Sequence, residues 1–422
     1  MKYLLKREAG FSLVELLIAM TLSTMVMSSL LYLVIESQKS RSALSCFQQT
    51  QDIGRSALDM MATRVAASGF RGCGSTLFVD YEYESGLNLS GLLPVERNRI
   101  EYDLAITVPV SGYNGSNGNT QLNPPEPMAA NTDLSDLAAG LVYDERIPTE
   151  LKDQQDLYEG EFSLFFDSTT TVQPSKGNVL TTRSVGKRSW MVAGDIAPDQ
   201  PIPIYADVNG GYPEVGDILF IGDCQRATIF VVTSIADGTV DVEGTSDSVK
   251  LLSHGIGSGN IRNASSNLGG SLNMSFRRGA VVASIDVAHF AMGLSQYDRP
   301  VVAASDNAKV PALYRAVFPA NVDELSSLSY NLKAEEVAPG VIDFEVRFGV
   351  SDTPDSAPNQ VLRMRDITNA HYLQSADLSV QVGATESCGN TDGSDNSVGW
   401  NTFTLRYERF MRLRNVYGYS DR

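Results

Sequence analysis

The stretch GFSLVELLIAM at residues 10–20 decides the fold, because it begins an apolar run that continues to Ile35. Glu15 is the only charged residue among the 25 residues from Phe11 to Ile35. As a helix, these 25 residues would be roughly 37 Å long, enough to cross a hydrocarbon core of about 30 Å with some tilt. The sequence therefore predicts a membrane-spanning helix at residues 11–35, behind a short basic segment at residues 1–10.

The charges that flank the apolar run predict its orientation. Lys2, Lys6 and Arg7 precede the run, so the positive-inside tendency places the N-terminus in the cytoplasm, although Lys39 and Arg41 weaken the asymmetry. The run is also longer than the 7–15 apolar residues of a secretory signal. We therefore expect a single span, with the rest of the chain on the far side of the membrane from the cytoplasm.

Glu15 is the anomaly of the apolar run. A charge at the centre of a membrane helix costs about 2.5–3.5 kcal/mol on insertion scales unless it is paired. One interpretation is that Glu15 lies near the membrane surface and reaches water. The other is that the carboxylate has a functional partner, since ionisable groups inside membrane segments are functional by default.

Helical periodicity continues beyond the membrane. Apolar or small residues recur at steps of three and four, with the first stop signal at Ser68-Gly69. The predicted stripe consists of Leu44, Phe47, Gln51, Gly54, Leu58, Met61 and Val65, with Ala43, Cys46, Ile53, Ala57 and Met60 alongside it. We expect residues 36–68 to form an amphipathic half of the same helix that packs under the body.

The composition predicts a globular and β-rich body. The chain is 43% hydrophobic and 20% charged, with 35 Gly and 17 Pro residues, and short alternating runs are separated by turn residues. The formal net charge of −17 disfavours binding to nucleic acid, because phosphate binding depends on Lys and Arg. No DNA or RNA partner is expected.

Strand patterns dominate from residue 70 onward. In the clearest one, at 341–350, Ile342, Phe344, Val346, Phe348 and Val350 alternate with residues that are mostly polar. Other predicted strands are 100–110, 162–166, 217–221, 227–232, 281–287, 313–318, 378–382 and 403–413. The prediction is an α+β fold, with one long N-terminal helix packed on a large, mainly antiparallel β domain at 69–422, although a division near 253–272 stays open.

The four cysteines, Cys46, Cys73, Cys224 and Cys388, would lie where disulfides persist. Four cysteines allow three connectivities, and the alternative is that they are small buried hydrophobic residues. They lack the close spacing of a zinc site.

His254, His289 and His371 are isolated in the sequence, and His289 is expected to be a core histidine. The acidic loop at 390–396 could offer oxygen ligands to calcium, but turn chemistry explains it adequately. The sequence contains no metalloprotease, nucleophile-elbow or P-loop motif. We therefore expect no metal, no cofactor and no enzymatic activity.

The segment from Gly10 to Met20 resembles the prepilin processing site of the type IV pilin and type II secretion pseudopilin superfamily. In that family a membrane peptidase cuts after the glycine and N-methylates the new terminal residue. The resemblance implies cleavage between Gly10 and Phe11, methylation of Phe11, and an assembly role for Glu15, whose carboxylate would meet the terminal amine of a neighbouring subunit. It also implies a lollipop-shaped molecule.

Further segments resemble the larger minor pilins of the PilW type, which are similar to the J-type pseudopilin. They are residues 69–73, 222–224 with 227–233, 311–315, 341–350 and 412–415. The resemblance implies a minor pilin that initiates or caps a type IV pilus. Its implied partners are other minor pilins, the major pilin, the prepilin peptidase and a tip adhesin. The alternatives are a J-type pseudopilin, or an anchored periplasmic enzyme or adhesin.

The same resemblance favours one disulfide. Proteins of the PilW type tend to carry both Cys73 and Cys224, and these residues follow the helix stop and a predicted strand. Their bridge would close a loop of about 150 residues and contribute around 4–5 kcal/mol on the chain-entropy estimate. Cys46 and Cys388 would then pair with each other or stay free.

Overall fold

The computed structural model shows one long helix and a body made of β-sheets. It describes residues 13–68, 82–92, 97, 100–101, 103–104, 110–115, 141–142, 179–223, 226–242, 244–257, 259–265, 272, 274–298, 309–326, 334–353, 357–363, 372–383 and 404–418. The predicted strand at 162–166 lies outside these residues.

Helix α1 spans Leu13–Ala67 without a break over 55 residues. It ends where the sequence predicts, because the Ser68 hydroxyl donates a hydrogen bond to the Val65 carbonyl at 2.6 Å and closes the last turn. A second, short helix, α2, spans Val322–Ser326.

The body contains eighteen strands in the described residues. In chain order they are β1 (Glu82–Ser85), β2 (Leu87–Asn88), β3 (Val110–Gly115), β4 (Leu141–Val142), β5 (Val179–Met191), β6 (Ile202–Ile204), β7 (Ile218–Gly222), β8 (Arg226–Val231), β9 (Ser234–Val242), β10 (Thr245–Ser253), β11 (Arg262–Asn263), β12 (Val281–Asp298), β13 (Lys309–Val317), β14 (Ala334–Pro339), β15 (Val341–Ser351), β16 (Gln360–Arg363), β17 (Tyr372–Gly383) and β18 (Thr404–Gly418).

These strands form four sheets. The main sheet has nine strands, with β12 at its centre between β5 on one side and β7 and β13 on the other. A four-stranded sheet has the order β16-β15-β17-β18, a three-stranded sheet the order β6-β10-β9, and β2 pairs with β11. Only β1 and β8 pair in parallel among the described strands. The fold is α+β, as the sequence predicts.

The hydrophobic core that positions α1 lies where three elements meet. Ala57, Met61 and Val65 of α1 pack with Leu180 and Phe290 of the main sheet. The four-stranded sheet closes this core with Phe344, Phe348, Leu378 and Leu413, among others. The helix is therefore held between two sheets. A second core covers the other face of the main sheet, and a third lies around Trp190.

The predicted strand at 341–350 is confirmed, since Phe344, Val346 and Phe348 are buried on one face of β15. The predicted strand at 100–110 is wrong for its first part. Residues 100, 101 and 103 are helical, and the amide of Leu104 donates to the carbonyl of Ile100 at 2.9 Å. Both of these side chains are buried in the second core. Their helical spacing of four residues, and not the alternating pattern that predicts a strand, therefore describes this segment.

The four-stranded sheet also has an outer face, directed away from α1. Because side chains alternate along a strand, this face carries Asp343, Glu345 and Arg347 of β15 and Arg406, Glu408, Phe410 and Arg412 of β18. Asp343 is only partly exposed. Burial raises its pKa to about 6, and the nearby Glu345 carboxylate adds to the effect.

The raised pKa of Asp343 predicts a pH-dependent contribution to stability. Protonated Asp343 favours the folded state, so this contribution is complete below the ordinary pKa of 3.8 and is lost as the pH rises through about 6. At 1.36 kcal/mol per pKa unit the effect amounts to about 2–3 kcal/mol. We expect Asp343→Asn to stabilise the chain at pH 7.5 by roughly that much more than at pH 4.

Denaturant unfolding of both proteins at the two pH values measures this double difference. Other carboxylates titrate over the same range in both proteins, so their effects cancel. A stability difference between the two proteins that does not change with pH would contradict the assignment to Asp343.

Candidate functional site

The membrane half of α1 presents apolar side chains on every side. Its large side chains from Leu13 to Ile35 are more than half exposed, and none is covered by the body. Among the described residues, α1 is the one helix that is long and apolar enough to cross a membrane. A helix that is apolar all round is stable only inside a membrane or against other proteins.

Polar side chains in the membrane half are satisfied within the helix. The hydroxyls of Thr21, Thr24 and Ser28 donate to carbonyls three residues earlier at 2.9 Å, and Ser29 donates to Met25 at 3.0 Å. An ionised carboxylate cannot use this solution, because it has no hydrogen to donate. Glu15 lies in the first turn of α1, where the helix dipole favours a negative charge.

The other half of α1 is docked to the body by one stripe. The buried positions are Cys46, Thr50, Gly54, Ala57, Leu58, Met61, Ala62, Val65 and Ser68. This confirms the predicted packing of Gly54, Leu58, Met61 and Val65. The expectation was wrong for Leu44, which is 59% exposed, because the body covers the helix only from Cys46 onward.

Gly54 is a point of close approach between α1 and the Tyr407 side chain of β18. The ring of Tyr407 lies against it, and a Cβ built at Gly54 would overlap Cδ2 and Cε2 of that ring. The Tyr407 hydroxyl is buried without a hydrogen-bond partner among the described residues, and burial raises its pKa. The tyrosine therefore contributes its ring, which fits only because residue 54 has no side chain.

Two ion pairs fix the direction of the docked helix. Arg64, in the last turn of α1, pairs with Asp286 of β12, and the two side chains are 18% and 10% exposed. Arg409 of β18 pairs with Asp59 of α1, with exposures of 49% and 68%. The first pair joins the helix to the main sheet and the second joins it to the four-stranded sheet, so each sheet holds α1 separately.

The predicted processing residues, Gly10 and Phe11, lie outside the described residues, as do Cys73, Cys224 and Cys388. Cys46 is buried on α1 and disulfide-bonded. Its partner is therefore one of the other three cysteines. The predicted bridge between Cys73 and Cys224 stays a prediction.

His289 is a core histidine, as expected. Its Nε2 lies 2.9 Å from Oδ1 of Asp103, and its Nδ1 lies 3.0 Å from the Thr181 hydroxyl. Carboxylate, imidazole and hydroxyl are the groups of a hydrolytic triad, but all three residues are at most 3% exposed. The trio is a buried polar link that ties β5 and β12 to the helical segment near Asp103.

Of the remaining metal candidates, His254 alone lies among the described residues. Burial lowers the pKa of His254, whose Nε2 lies 2.7 Å from the Gln200 carbonyl. Within the described ranges, no group of three or more His, Cys, Asp or Glu side chains could hold a metal ion. His371 and the acidic loop at 390–396 lie outside those ranges.

Sequence reasoning missed Tyr407, the Arg64–Asp286 pair and the buried trio around His289. One signal was available in the sequence, because Gly54 lies inside a long helix, where glycine lowers helix stability by roughly 1 kcal/mol relative to alanine. A glycine at such a position indicates a close approach by another element. The ion pair and the trio join residues far apart in the chain, and no local pattern marks them.

The N-terminal geometry agrees with a comparison to known families. Residues 5–31 match the family model of the prokaryotic N-terminal methylation motif. The match covers only this N-terminal part of the chain, and it supports a type IV pilin-like or pseudopilin-like protein. Searches of curated proteins and of solved structures found no significant match.

The motif and the exposed apolar helix together fit a single-pass membrane protein with a periplasmic body. The matched residues include Gly10, Phe11 and Glu15. The motif also implies association with other pilins and with an assembly machinery. The candidate site is therefore α1, whose first half is apolar on every side and whose second half packs on the body.

The contact between Gly54 and Tyr407 predicts an unusual mutational pattern. Gly54→Ala improves helix propensity by roughly 1 kcal/mol, yet overpacking against the ring should lower the free energy of unfolding by about 1–3 kcal/mol in total. With Tyr407→Ala in the background, Gly54→Ala should become neutral or stabilising. Tyr407→Phe keeps the ring and should leave the cost of Gly54→Ala unchanged.

Chemical denaturation of the full chain in detergent measures the three single variants and the two double variants against wild type. A destabilisation by Gly54→Ala that persists without the Tyr407 ring would show that the close approach is not the reason for the glycine.

The two ion pairs predict unequal costs. Arg64→Ala leaves Asp286 buried without its cation and should cost about 3 kcal/mol. Arg409→Ala breaks an exposed pair and should cost less than about 1 kcal/mol. The same unfolding measurement compares them, and the more exposed pair serves as the matched control. Equal costs would contradict the importance of the Arg64–Asp286 pair.

Proposed function

We propose that this protein is a minor pilin of the PilW type, which enters a type IV pilus through α1 and helps to initiate or cap the fibre. One observation carries the proposal: a pilin-type N-terminus continues into a helix whose outer half is apolar on every side. Such a helix needs lipid before assembly and other helices afterwards.

In this proposal the leader at residues 1–10 is removed by a prepilin peptidase and Phe11 is methylated. The positive terminal amine of one subunit then meets the Glu15 carboxylate of another. This contact offsets the cost of a charge in an apolar bundle. The charge pair would set the axial register of neighbouring subunits, because a shift would leave both charges unpaired.

The proposed partners are other minor pilins, the major pilin, the prepilin peptidase and a tip adhesin. The protein would begin in the inner membrane and end on the cell surface in the assembled pilus. The minor role is supported by the size of the body, since a chain of 422 residues is bulky for the repeating unit of a thin fibre. We also propose that the body is not an enzyme, and that its role is to bind and position other subunits.

The J-type pseudopilin is the alternative from the same superfamily. The two proposals differ in where the mature protein accumulates. A minor pilin is present in filaments sheared from the cell surface, whereas a pseudopilin stays in the periplasm. The segments that resemble the PilW type support the pilus.

Glu15→Val tests the proposed assembly role. We expect the variant to insert in the membrane normally, since the change removes a costly charge, but to be lost from sheared filaments. Thr24→Val is the matched control, because the Thr24 hydroxyl bonds within its own helix and its removal should leave incorporation unchanged. Immunoblots of membranes and sheared filaments measure both.

Mass spectrometry of the mature N-terminus accompanies this test. Wild-type protein should begin at methylated Phe11. A chain that still begins at Met1, together with normal incorporation of Glu15→Val, would overturn the proposal and favour an anchored periplasmic enzyme or adhesin.

A further inference from the structure

The four-stranded sheet ends in a long edge strand. β18 runs for 15 residues, Thr404–Gly418, and pairs with β17 on one side. No strand among the described residues pairs with its other side. The opposite edge of the same sheet, β16, has only 4 residues. An edge strand presents unpaired backbone amides and carbonyls, which are a template for another extended chain.

The outer face of β18 carries an exposed aromatic ring. Proteins guard an exposed edge with short strands, charges, proline or bulges; β18 is long and carries charges, and Phe410 beside them is 70% exposed on the outer face. Its same-face neighbour Arg412 is exposed and has no ion-pair partner among the described residues. An exposed aromatic ring beside an unpaired arginine is the composition typical of a binding hot spot.

The charge of β18 contrasts with that of the whole chain. Between Thr404 and Gly418 there are four arginines and one glutamate, giving a net charge of +3, while the whole chain carries −17. Arg406 is paired with Glu345 and Glu408, and Arg409 is paired with Asp59. Of the three β18 arginines whose side chains the structure describes, Arg412 is thus the one available to an incoming carboxylate.

Docking of α1 leaves the outer face of β18 accessible. The helix contacts β18 from the inner face, where Tyr407 meets Gly54 and Arg409 meets Asp59. The side chains of Glu408, Arg409 and Phe410 are all exposed, although successive residues point to opposite faces. Exposure on both faces is expected of a strand with no neighbour on one side.

We propose that β18 is a docking edge for an extended segment of another polypeptide, in which acidic and apolar residues alternate on each face. The segment adds as a fifth strand through backbone hydrogen bonds. An apolar side chain covers Phe410, and a carboxylate pairs with Arg412. This mode of recognition takes affinity from the main chain and specificity from alternate side chains. It goes beyond the proposed pilus function and does not depend on it.

The test uses the full chain in detergent and fluorescent nonapeptides that repeat Glu-Glu-Val-Val, which gives alternating acidic and apolar residues on both faces. Two control peptides share its length. In one, lysine replaces each glutamate, and in the other, proline replaces alternate valines and removes the amides that a ladder needs. Fluorescence anisotropy measures the affinities. We expect binding of the acidic peptide and at least tenfold weaker binding of both controls.

Variants of β18 locate the site. Phe410→Ser should weaken binding of the acidic peptide about tenfold, and Arg412→Glu should reverse the preference between the acidic and the lysine peptide. Both side chains are exposed, so thermal unfolding of the variants should match that of the wild type. Val361→Ser is the matched control, because Val361 is 62% exposed on the outer face but lies on β16, which two other strands separate from β18.

Three results would overturn the proposal. They are no binding of the acidic peptide, equal binding of the proline peptide, and equal weakening by Val361→Ser and Phe410→Ser. The first excludes the edge as a docking site for this chemistry, the second excludes backbone pairing, and the third places the contact elsewhere on the sheet. None of these results bears on processing at Gly10 or on incorporation through Glu15, so the pilus proposal is tested separately.

Discussion

The structure depends on one constraint: a single continuous helix must satisfy two different surroundings. Its first half exposes apolar side chains on every side, and its second half buries one stripe against two β-sheets. Because no break separates the halves, the position of the body relative to the membrane is set by the rod. The pilin-type motif at its start connects this arrangement to assembly.

The docking of the body onto the rod uses contacts of three kinds. Apolar packing around Met61 supplies the bulk of the burial, the close approach of Tyr407 to Gly54 fixes the height of β18 on the helix, and the Arg64–Asp286 pair fixes the helix end. Apolar packing alone tolerates sliding and rotation. The close approach and the buried charge pair have one good geometry each, so they define the register.

The body extends well beyond the part that packs against α1. The main sheet extends from the docked helix to a separate core around Trp190, about 33 Å along β5 from Leu180 at 3.3 Å per residue. Buried polar groups also link its parts: Asp103, His289 and Thr181 tie β5 and β12 to the helical segment near Asp103. The four-stranded sheet, in contrast, leaves the outer edge of β18 without a partner strand among the described residues.

The sequence by itself determined the rod, its length, its stop at Ser68 and most of the strands. These follow from local periodicity, and an uninterrupted apolar run leaves few alternatives. Polar strands such as β5, whose residues 179–191 show no clear alternation, could not be predicted, because neighbours that are distant in the chain bury them. The same holds for Ile100 and Leu104, whose helical spacing is recognisable only once their shared core is known.

Only the tertiary structure decided which side of the rod is buried and which edge stays open. Leu44 fits the predicted stripe but is exposed, since the body covers α1 only from Cys46 onward. Tyr407 and Gly54 are more than three hundred residues apart and meet through the pairing of β17 with β18. Local sequence determines the spacing at which apolar residues recur along each element. The pairing of elements determines which face of each one is buried, and therefore which side chains remain available to partners.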